Sequence, residues 1–427
     1  MSRKTILLVG TYDTKQDELT FLASTIQQAG GRVLAMDVSV LGDASVLGDA
    51  SVFWESDQPV AISKHDVAAA AGMDIAAVIA SPDENLAMQA MARGAAELAG
   101  DAHLAGKFDG VLALGGSMGT DLALDLCAAL PIGVPKYIIS TVAFSPMIPP
   151  ARLPADIQMI LWAGGLYGLS SVCKSALSQA AGAVLGACQT VLPPDPDKPM
   201  IGMTSLGLST LTYMADLKPE LEARGFEVAV FHATGMGGRA FESLASQGAF
   251  AAVMDFCTQE LGNHVHGSSI SAGDTRLKGA GAAATPQIVA PGCYDLVDVI
   301  GWQELDDKWQ GYPTHAHNRL ITSVVLREED CLKVADAHLA RLAAASGATA
   351  LLLPLGGCGE WDRPGADLYN PDGLRAFMGR LLDGCPDQVD LHRLNAHIND
   401  AAFCEAALSV LDSWLDAGVI PRPAAEA

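Results

Sequence analysis

Two short glycine-bearing turns carry the residue types best suited to chemistry in this chain: Gly10-Thr11-Tyr12-Asp13-Thr14-Lys15 and Gly115-Gly116-Ser117-Met118-Gly119-Thr120. Each follows an apolar run that reads as a buried strand, residues 6–9 and 111–114, and each precedes a stretch of helical periodicity. A strand, a glycine turn and a helix together aim backbone N–H groups and the positive end of a helix at an anion. In the first turn Thr11, Thr14 and Lys15 are placed to meet a phosphate, and Asp13 to hold Mg2+ through water. The competing reading is a helix cap by Asp13 or Thr14. In the second turn Gly115, Gly116 and Gly119 permit close backbone approach, while Ser117 and Thr120 supply hydroxyls. Ser140 and Thr141, after the next strand, face the same edge. Neither turn has the GxxxxGK[ST] spacing of a P-loop.

A second set of candidates follows in the C-terminal half. Thr234-Gly235-Met236-Gly237-Gly238-Arg239 again opens a helix after a strand, with Arg239 at hand for a phosphate or carboxylate; Gly202 to Gly207 repeats the pattern more weakly. His264-Val265-His266 and His315-Ala316-His317 are both H-x-H, which on a strand puts two imidazoles on one face, a possible Zn2+ or Mn2+ pair. Both lie in polar, loop-like surroundings, which favours histidines without a metal. Cys257 and Cys358 read as buried, inert thiols. His232, His317 and Glu360 are weak candidates for proton transfer, with Asp362 beside them.

The elements that position these residues alternate strand and helix through both halves, the pattern of parallel sheets covered on both faces. Pro193, Pro194, Pro196 and Pro199 fall within seven residues and mark a linker. The expected organisation is an N-terminal Rossmann-like lobe over 1–192, a linker over 193–199 and a C-terminal Rossmann-like lobe over 200–427. The α/β fold is then two doubly wound lobes facing a shared cleft. Residues 40–45 are repeated as 46–51, which reads as a tandem duplication in a surface loop.

Composition limits the function classes. Forty-nine acidic against 26 basic side chains give a net charge of −23, which argues against a nucleic-acid partner. Half of the 427 residues are apolar, yet no run reaches the ~20 residues of a membrane helix. With no secretory pattern at Met-Ser-Arg-Lys and no CxxC pair among the nine cysteines, a cytoplasmic protein with reduced thiols is expected.

Both glycine turns resemble the signatures of a two-lobed family described as an ATP-binding domain. So do Ser140-Thr141-Val142-Ala143, the stretch from Phe231 to Glu242, and His397-Ile398-Asn399-Asp400. This family includes the N-terminal part of the tomato mosaic virus resistance protein. The resemblance spans the whole chain. It implies two Rossmann-like lobes, nucleotide binding (ATP with Mg2+), and a homodimer or higher homo-oligomer. The sequence departs from the family pattern at Asp255 to Glu260, where a threonine-rich turn is expected. The expectation is therefore an ATP-binding protein acting as an enzyme or a ligand-gated module. The alternative is a hydrolase or lyase for an acidic metabolite, with catalytic groups in the C-terminal lobe.

Overall fold

The computed structural model describes residues 3–40, 62–195 and 197–423, and divides them into two compact units, to Pro194 and from Asp195. Apart from Val40, the duplicated hexapeptide lies outside the described residues. Among these residues no helix is long and apolar enough to cross a membrane.

The first unit runs β1 (Thr5–Gly10), α1 (Gln16–Gln28), β2 (Arg32–Asp37), α2 (Lys64–Ala70), α3 (Ile75–Ile79), α4 (Glu84–Leu104), β3 (Gly110–Gly115), α5 (Ser117–Ala128), β4 (Lys136–Ser140), β5 (Ile157–Leu161) and α6 (Ser171–Thr190). Its five strands form one all-parallel sheet in the order β2-β1-β3-β4-β5. Because β1 is covered on both faces, it reads as a continuous apolar run. Leu7 and Val9 point into the core made by α2, α4 and α5, while Ile6 and Leu8 point into the core made by α1 and α6. The small residues of α6 serve this packing: Leu177, Ala180, Ala181 and Val184 are buried in the same core as Leu19, Leu22 and Ile26 of α1.

The second unit runs β6 (Met200–Ser205), α7 (Leu211–Ala223), β7 (Glu227–His232), α8 (Met236–Ser246), β8 (Ala252–Cys257), α9 (Gln259–Val265), α10 (Gly279–Ala282), β9 (Gln287–Gly292), β10 (Leu296–Ile300), β11 (Thr314–Ala316), β12 (Ile321–Val325), α11 (Glu328–Ala343), β13 (Thr349–Pro354), α12 (Pro371–Gly384), β14 (Asp390–Leu394) and α13 (Ala401–Asp416). Six of these strands make a parallel sheet in the order β14-β13-β9-β8-β6-β7. Ile201, Met203, Ile288 and Leu352 face α7 and α13. Val289, Leu351 and Leu353 face α11 and α12 on the other side.

Two features depart from the sequence reading. The apolar run at 321–326 reads from its sequence as one more parallel strand, but Ile321–Val325 form β12, the middle strand of a separate antiparallel ribbon in the order β10-β12-β11. This ribbon leaves the parallel sheet after β9 and returns to it at β13. Strands β5 and β14, both on sheet edges, were also not anticipated. Both are half-exposed, and β14 with Asp390, His392 and Arg393 lacks the apolar run that marks a central strand.

Helix α4 meets α2 at Gly94, where an added Cβ would lie 1.9 Å from the Val67 carbonyl oxygen. In an open helix Gly→Ala stabilises by up to about 1 kcal/mol. At Gly94 the backbone of α2 blocks the methyl group, so Gly94→Ala is expected to destabilise the protein by about 1–3 kcal/mol. Urea unfolding of the two proteins gives the sign directly.

Candidate functional site

Strand order determines where ligands can sit in such sheets. In an open parallel sheet the loops after neighbouring strands diverge where the chain reverses direction, leaving a crevice at the carboxyl ends. In the first unit that point lies between β1 and β3, and a cavity of about 270 Å³ opens there. Its walls include Thr11, Asp13, Thr14 and Lys15 after β1, and Gly115, Gly116, Ser117 and Gly119 after β3. Eight sequence candidates therefore meet in one place, joined by Val40, Glu84, Met88 and Met118.

Local structure leaves both helix ends open. Helix α1 starts after Lys15 with no side-chain cap, so neither Asp13 nor Thr14 fills the capping role. Instead the Thr11 and Thr14 hydroxyls bond each other at 2.8 Å, and the Lys15 amide donates to the Thr11 carbonyl at 2.9 Å. The Asp13 amide donates to Ser39 Oγ at 3.0 Å and the Tyr12 amide to Asp37 Oδ1 at 3.3 Å, which pins the turn to the end of β2. Burial raises the Asp37 carboxyl above its usual range. Helix α5 follows Gly116, again without a side-chain cap. An added Cβ at Gly115 would lie 2.6 Å from Gly119 Cα, so this turn can only close on glycine.

The remaining first-unit candidates stand behind the cavity wall. Gly10 is the last residue of β1, with room only for a hydrogen beside Leu19. The Thr120 and Ser140 hydroxyls bond each other at 2.7 Å, both buried, tying α5 to β4. The Val142 amide donates to Ser140 Oγ at 3.0 Å, and the Thr141 amide to the Gly115 carbonyl at 3.3 Å. These residues brace the second turn and do not line the cavity.

The second unit repeats the arrangement with different chemistry. Its reversal falls between β6 and β8, where a cavity of about 170 Å³ is lined by Ser209, His232, Thr234, Gln259, Asp298 and His317, among others. His232 and His317 thus come together, 85 residues apart in sequence (317 − 232). Glu360 is not in the lining; it bonds Asn399 Nδ2 at 3.2 Å and Arg363 at 3.3 Å. Asp362 is buried, accepts the Cys358 amide at 3.0 Å, and is pushed up to about 6 by burial. Burial likewise pushes the Cys358 thiol well above its ordinary range, leaving no nucleophile there.

The expected anion turn at 234–239 is already filled from within. The Gly235 and Gly238 amides both donate to Glu260 Oε1, the latter at 3.1 Å, and an added Cβ at Gly238 would overlap that carboxylate. Arg239 donates to the Ser271 carbonyl at 3.0 Å, so it too is engaged. Gly237 lies against the His232 carbonyl, and only Thr234 of this turn reaches the cavity. Glu260 is held in turn by Arg276, a fully buried guanidinium that also binds Glu242 at 3.0 Å and both oxygens of Asp255. Three carboxylates on one guanidinium leave an excess of negative charge, and burial pushes Glu260 up to about 7 despite Arg276.

The H-x-H pairs do not form metal pairs. His264 lies in helix α9 and His266 is its C-cap, so they do not share a strand face. His264 lies 3.6 Å from Asp274, and His266 contacts the Asp330 carbonyl at 3.4 Å and Trp309. His315 packs against Trp361 while His317, beyond the end of β11, lines the cavity. Among the described residues no group of three or more His, Cys, Asp or Glu side chains is placed to hold a metal ion.

Asp298, Gln259 and Ser323 were missed from sequence. Asp298 and Ser323 are cross-strand partners in the ribbon, bonded at 2.6 Å, and only the β10–β12 register brings them together. Gln259 followed an unfamiliar turn and carried no motif.

Comparison with known proteins adds the family. The profile described as "Uncharacterised protein family (UPF0261) N-terminal domain" matches residues 4–193, and its C-terminal counterpart matches residues 198–415. A Brucella melitensis protein carrying the same family designation is 48% identical over 417 residues, covering 98% of this chain and 97% of the relative. The ToMV resistance protein Tm-1(GCR237) of Solanum lycopersicum is 28% identical, with 96% of this chain matching 55% of that protein. Among solved structures, a putative UDP-N-acetylglucosamine 2-epimerase from Listeria monocytogenes aligns with 68% of this chain and 79% of that one at 10% identity. Its TM-score is 0.24, too low to say anything of chemistry.

Glu260 makes the second unit sensitive to pH. With burial pushing its pKa up to about 7 in the fold, against 4.5 for an ordinary glutamate, the folded chain holds a proton between those values that the unfolded chain releases. The stability linked to that proton is complete below the unfolded value and is lost as pH rises through the folded one. From about pH 5 to about pH 7, urea resistance of the wild type is expected to fall relative to Glu260→Gln, by at most about 1 kcal/mol per pH unit.

Proposed function

The chain belongs to the UPF0261 family, and we propose that its N-terminal unit binds the phosphates of a nucleotide, ATP with Mg2+, at the β1/β3 crevice. One observation carries this reading: two helices, α1 and α5, open without side-chain caps onto the same cavity. Uncapped N–H groups at a helix start carry partial positive charge and unsatisfied donors, and two such ends on one crevice suit a polyphosphate. Lys15 adds a point charge at the rim, and Ser117 and Thr14 add hydroxyl donors.

The acidic side chains in the same walls fit the metal. Asp13 and Glu84 line the cavity, and Mg2+ needs only one or two carboxylates when phosphate oxygens and water complete its shell. Asp13 is the residue proposed to hold it through water. When bound, the metal supplies charge neutralisation between phosphate oxygens. The protein residues orient the phosphate chain through backbone amides and restrict it to the mouth formed with Met88 and Met118.

The second-unit cavity has no Lys or Arg in its lining, so it does not favour the acidic metabolite of the alternative expectation. Self-association belongs to the same proposal. Phe144, Met147, Tyr167 and Val172 of the first unit are exposed, and apolar side chains of this size support a homodimer or higher homo-oligomer.

Calorimetric titration with ATP, with and without Mg2+, tests the reading. The expected result is a saturable signal strengthened by Mg2+ and weakened at least about tenfold, or about 1.4 kcal/mol, in Lys15→Ala. Absence of heat, or binding indifferent to Lys15→Ala, overturns it.

A further inference from the structure

We propose that the cavity of the second unit is a binding site for a small uncharged polyhydroxylated compound, a cyclitol or a monosaccharide. This site is separate from the nucleotide crevice and stands on its own residues.

The first reason is an unmet need for a partner. Gln259 is 1% exposed and lines the cavity, yet neither its Nε2 nor its Oε1 makes a hydrogen bond. Its side chain approaches Asp298 closely enough to act as a hydrogen-bond donor that lowers that carboxyl's pKa, although the contact falls outside well-formed hydrogen-bond geometry. A buried amide left unpaired on both atoms costs about 1–3 kcal/mol per group, and a ligand presenting both a donor and an acceptor recovers it.

The second reason is the chemistry of the remaining walls. The floor holds Asp298 and the hydroxyls of Ser209 and Ser323, all buried; the rim holds His232, His317 and Asn318, all exposed. Asp298 already accepts from Ser323 Oγ at 2.6 Å, and both His232 and His317 are close enough to lower its pKa, while burial raises it. Imidazoles, amides and hydroxyls each offer donors and acceptors at short range, which is what a set of vicinal hydroxyls requires. With no Lys or Arg in the lining and a carboxyl on the floor, an anion meets no fixed positive charge. Trp361, Leu206, Leu296 and Ile321 complete the wall with apolar surface for the C–H face of a ring.

The fold supplies a further reason. The cavity lies at the β6/β8 reversal of the sheet, where ligands of parallel α/β units bind, and the β10–β12 ribbon covers it. Parts of the molecule far apart in sequence thus meet at one small polar pocket.

Saturation-transfer NMR on the full chain tests the site with myo-inositol, D-glucose, D-fructose and D-ribose, against malate and ethanolamine as charged controls. At least one polyol is expected to bind saturably. Gln259→Leu is expected to weaken that binding at least tenfold while leaving the melting temperature unchanged or higher, because it removes an unpaired buried amide. His317→Ala on the exposed rim is expected to weaken it without touching the core. ATP titration of both variants is expected to match the wild type, so the outcome is independent of the first unit. No saturable polyol binding, binding of a charged control in its place, or polyol binding unchanged in both variants overturns the proposal. A marked loss of stability in Gln259→Leu also overturns it, since it would show that the amide is already satisfied within the fold.

Discussion

The second unit is organised around a single buried cation. Arg276 is fully enclosed, and its guanidinium engages Asp255 on β8, Glu242 on α8 and Glu260 on α9, along with the Cys257 carbonyl at 2.8 Å. Each carboxylate then fastens a different piece of backbone. Glu242 accepts the Gly279 amide at 2.6 Å, and Glu260 closes the Gly235–Gly238 turn. Asp255 accepts from Thr204, whose hydroxyl accepts the Cys257 amide at 2.9 Å. Removing Arg276 would leave three buried acids without their cation, at a cost of about 3–5 kcal/mol. The positions of Thr234 and Gln259 in the cavity follow from this network, because the turn and helix that carry them are anchored by Glu260.

One strand arrangement recurs in the two units. In both, the second strand lies outside the first and the third on its other side, so the reversal and its crevice recur at the same place. What differs is how the glycine turns are used. In the first unit the helix ends after Lys15 and Gly116 are left without side-chain caps. In the second, the counterpart helices α7 and α9 also start without side-chain caps, and the turn filled by an internal carboxylate, beside Gly235, follows β7, the counterpart of β2. The same local motif, strand then glycine turn then helix, is left open to a cavity in one context and filled from within in the other. The deciding factor is whether a buried acid from elsewhere in the fold reaches it.

Much of the fold was legible in the sequence for a simple reason. Central parallel strands are buried on both faces and appear as uninterrupted apolar runs, as at β1 and β3, and the glycine turns punctuate them. The first-unit crevice was legible because its residues are contiguous with those strands. Asp298 and Ser323 were not, because their meeting depends on the register of an antiparallel pair 25 residues apart (323 − 298). Arg276 was equally hidden: in Gly273-Asp274-Thr275-Arg276-Leu277-Lys278-Gly279 it has the look of a solvated loop residue. Nothing in that heptapeptide signals that three acids from two helices and a strand converge on it. The occupation of the 234–239 turn was missed for the same reason, since Glu260 reaches it from another element.

The ribbon β10–β12–β11 departs from the parallel sheet after β9 and rejoins it at β13, and its strands pair only with one another. Residues that face the cavity from this insert can therefore change without disturbing the ladder that holds the sheet together. On this side the cavity's lining and the frame of the sheet are separable parts, carried by different stretches of chain.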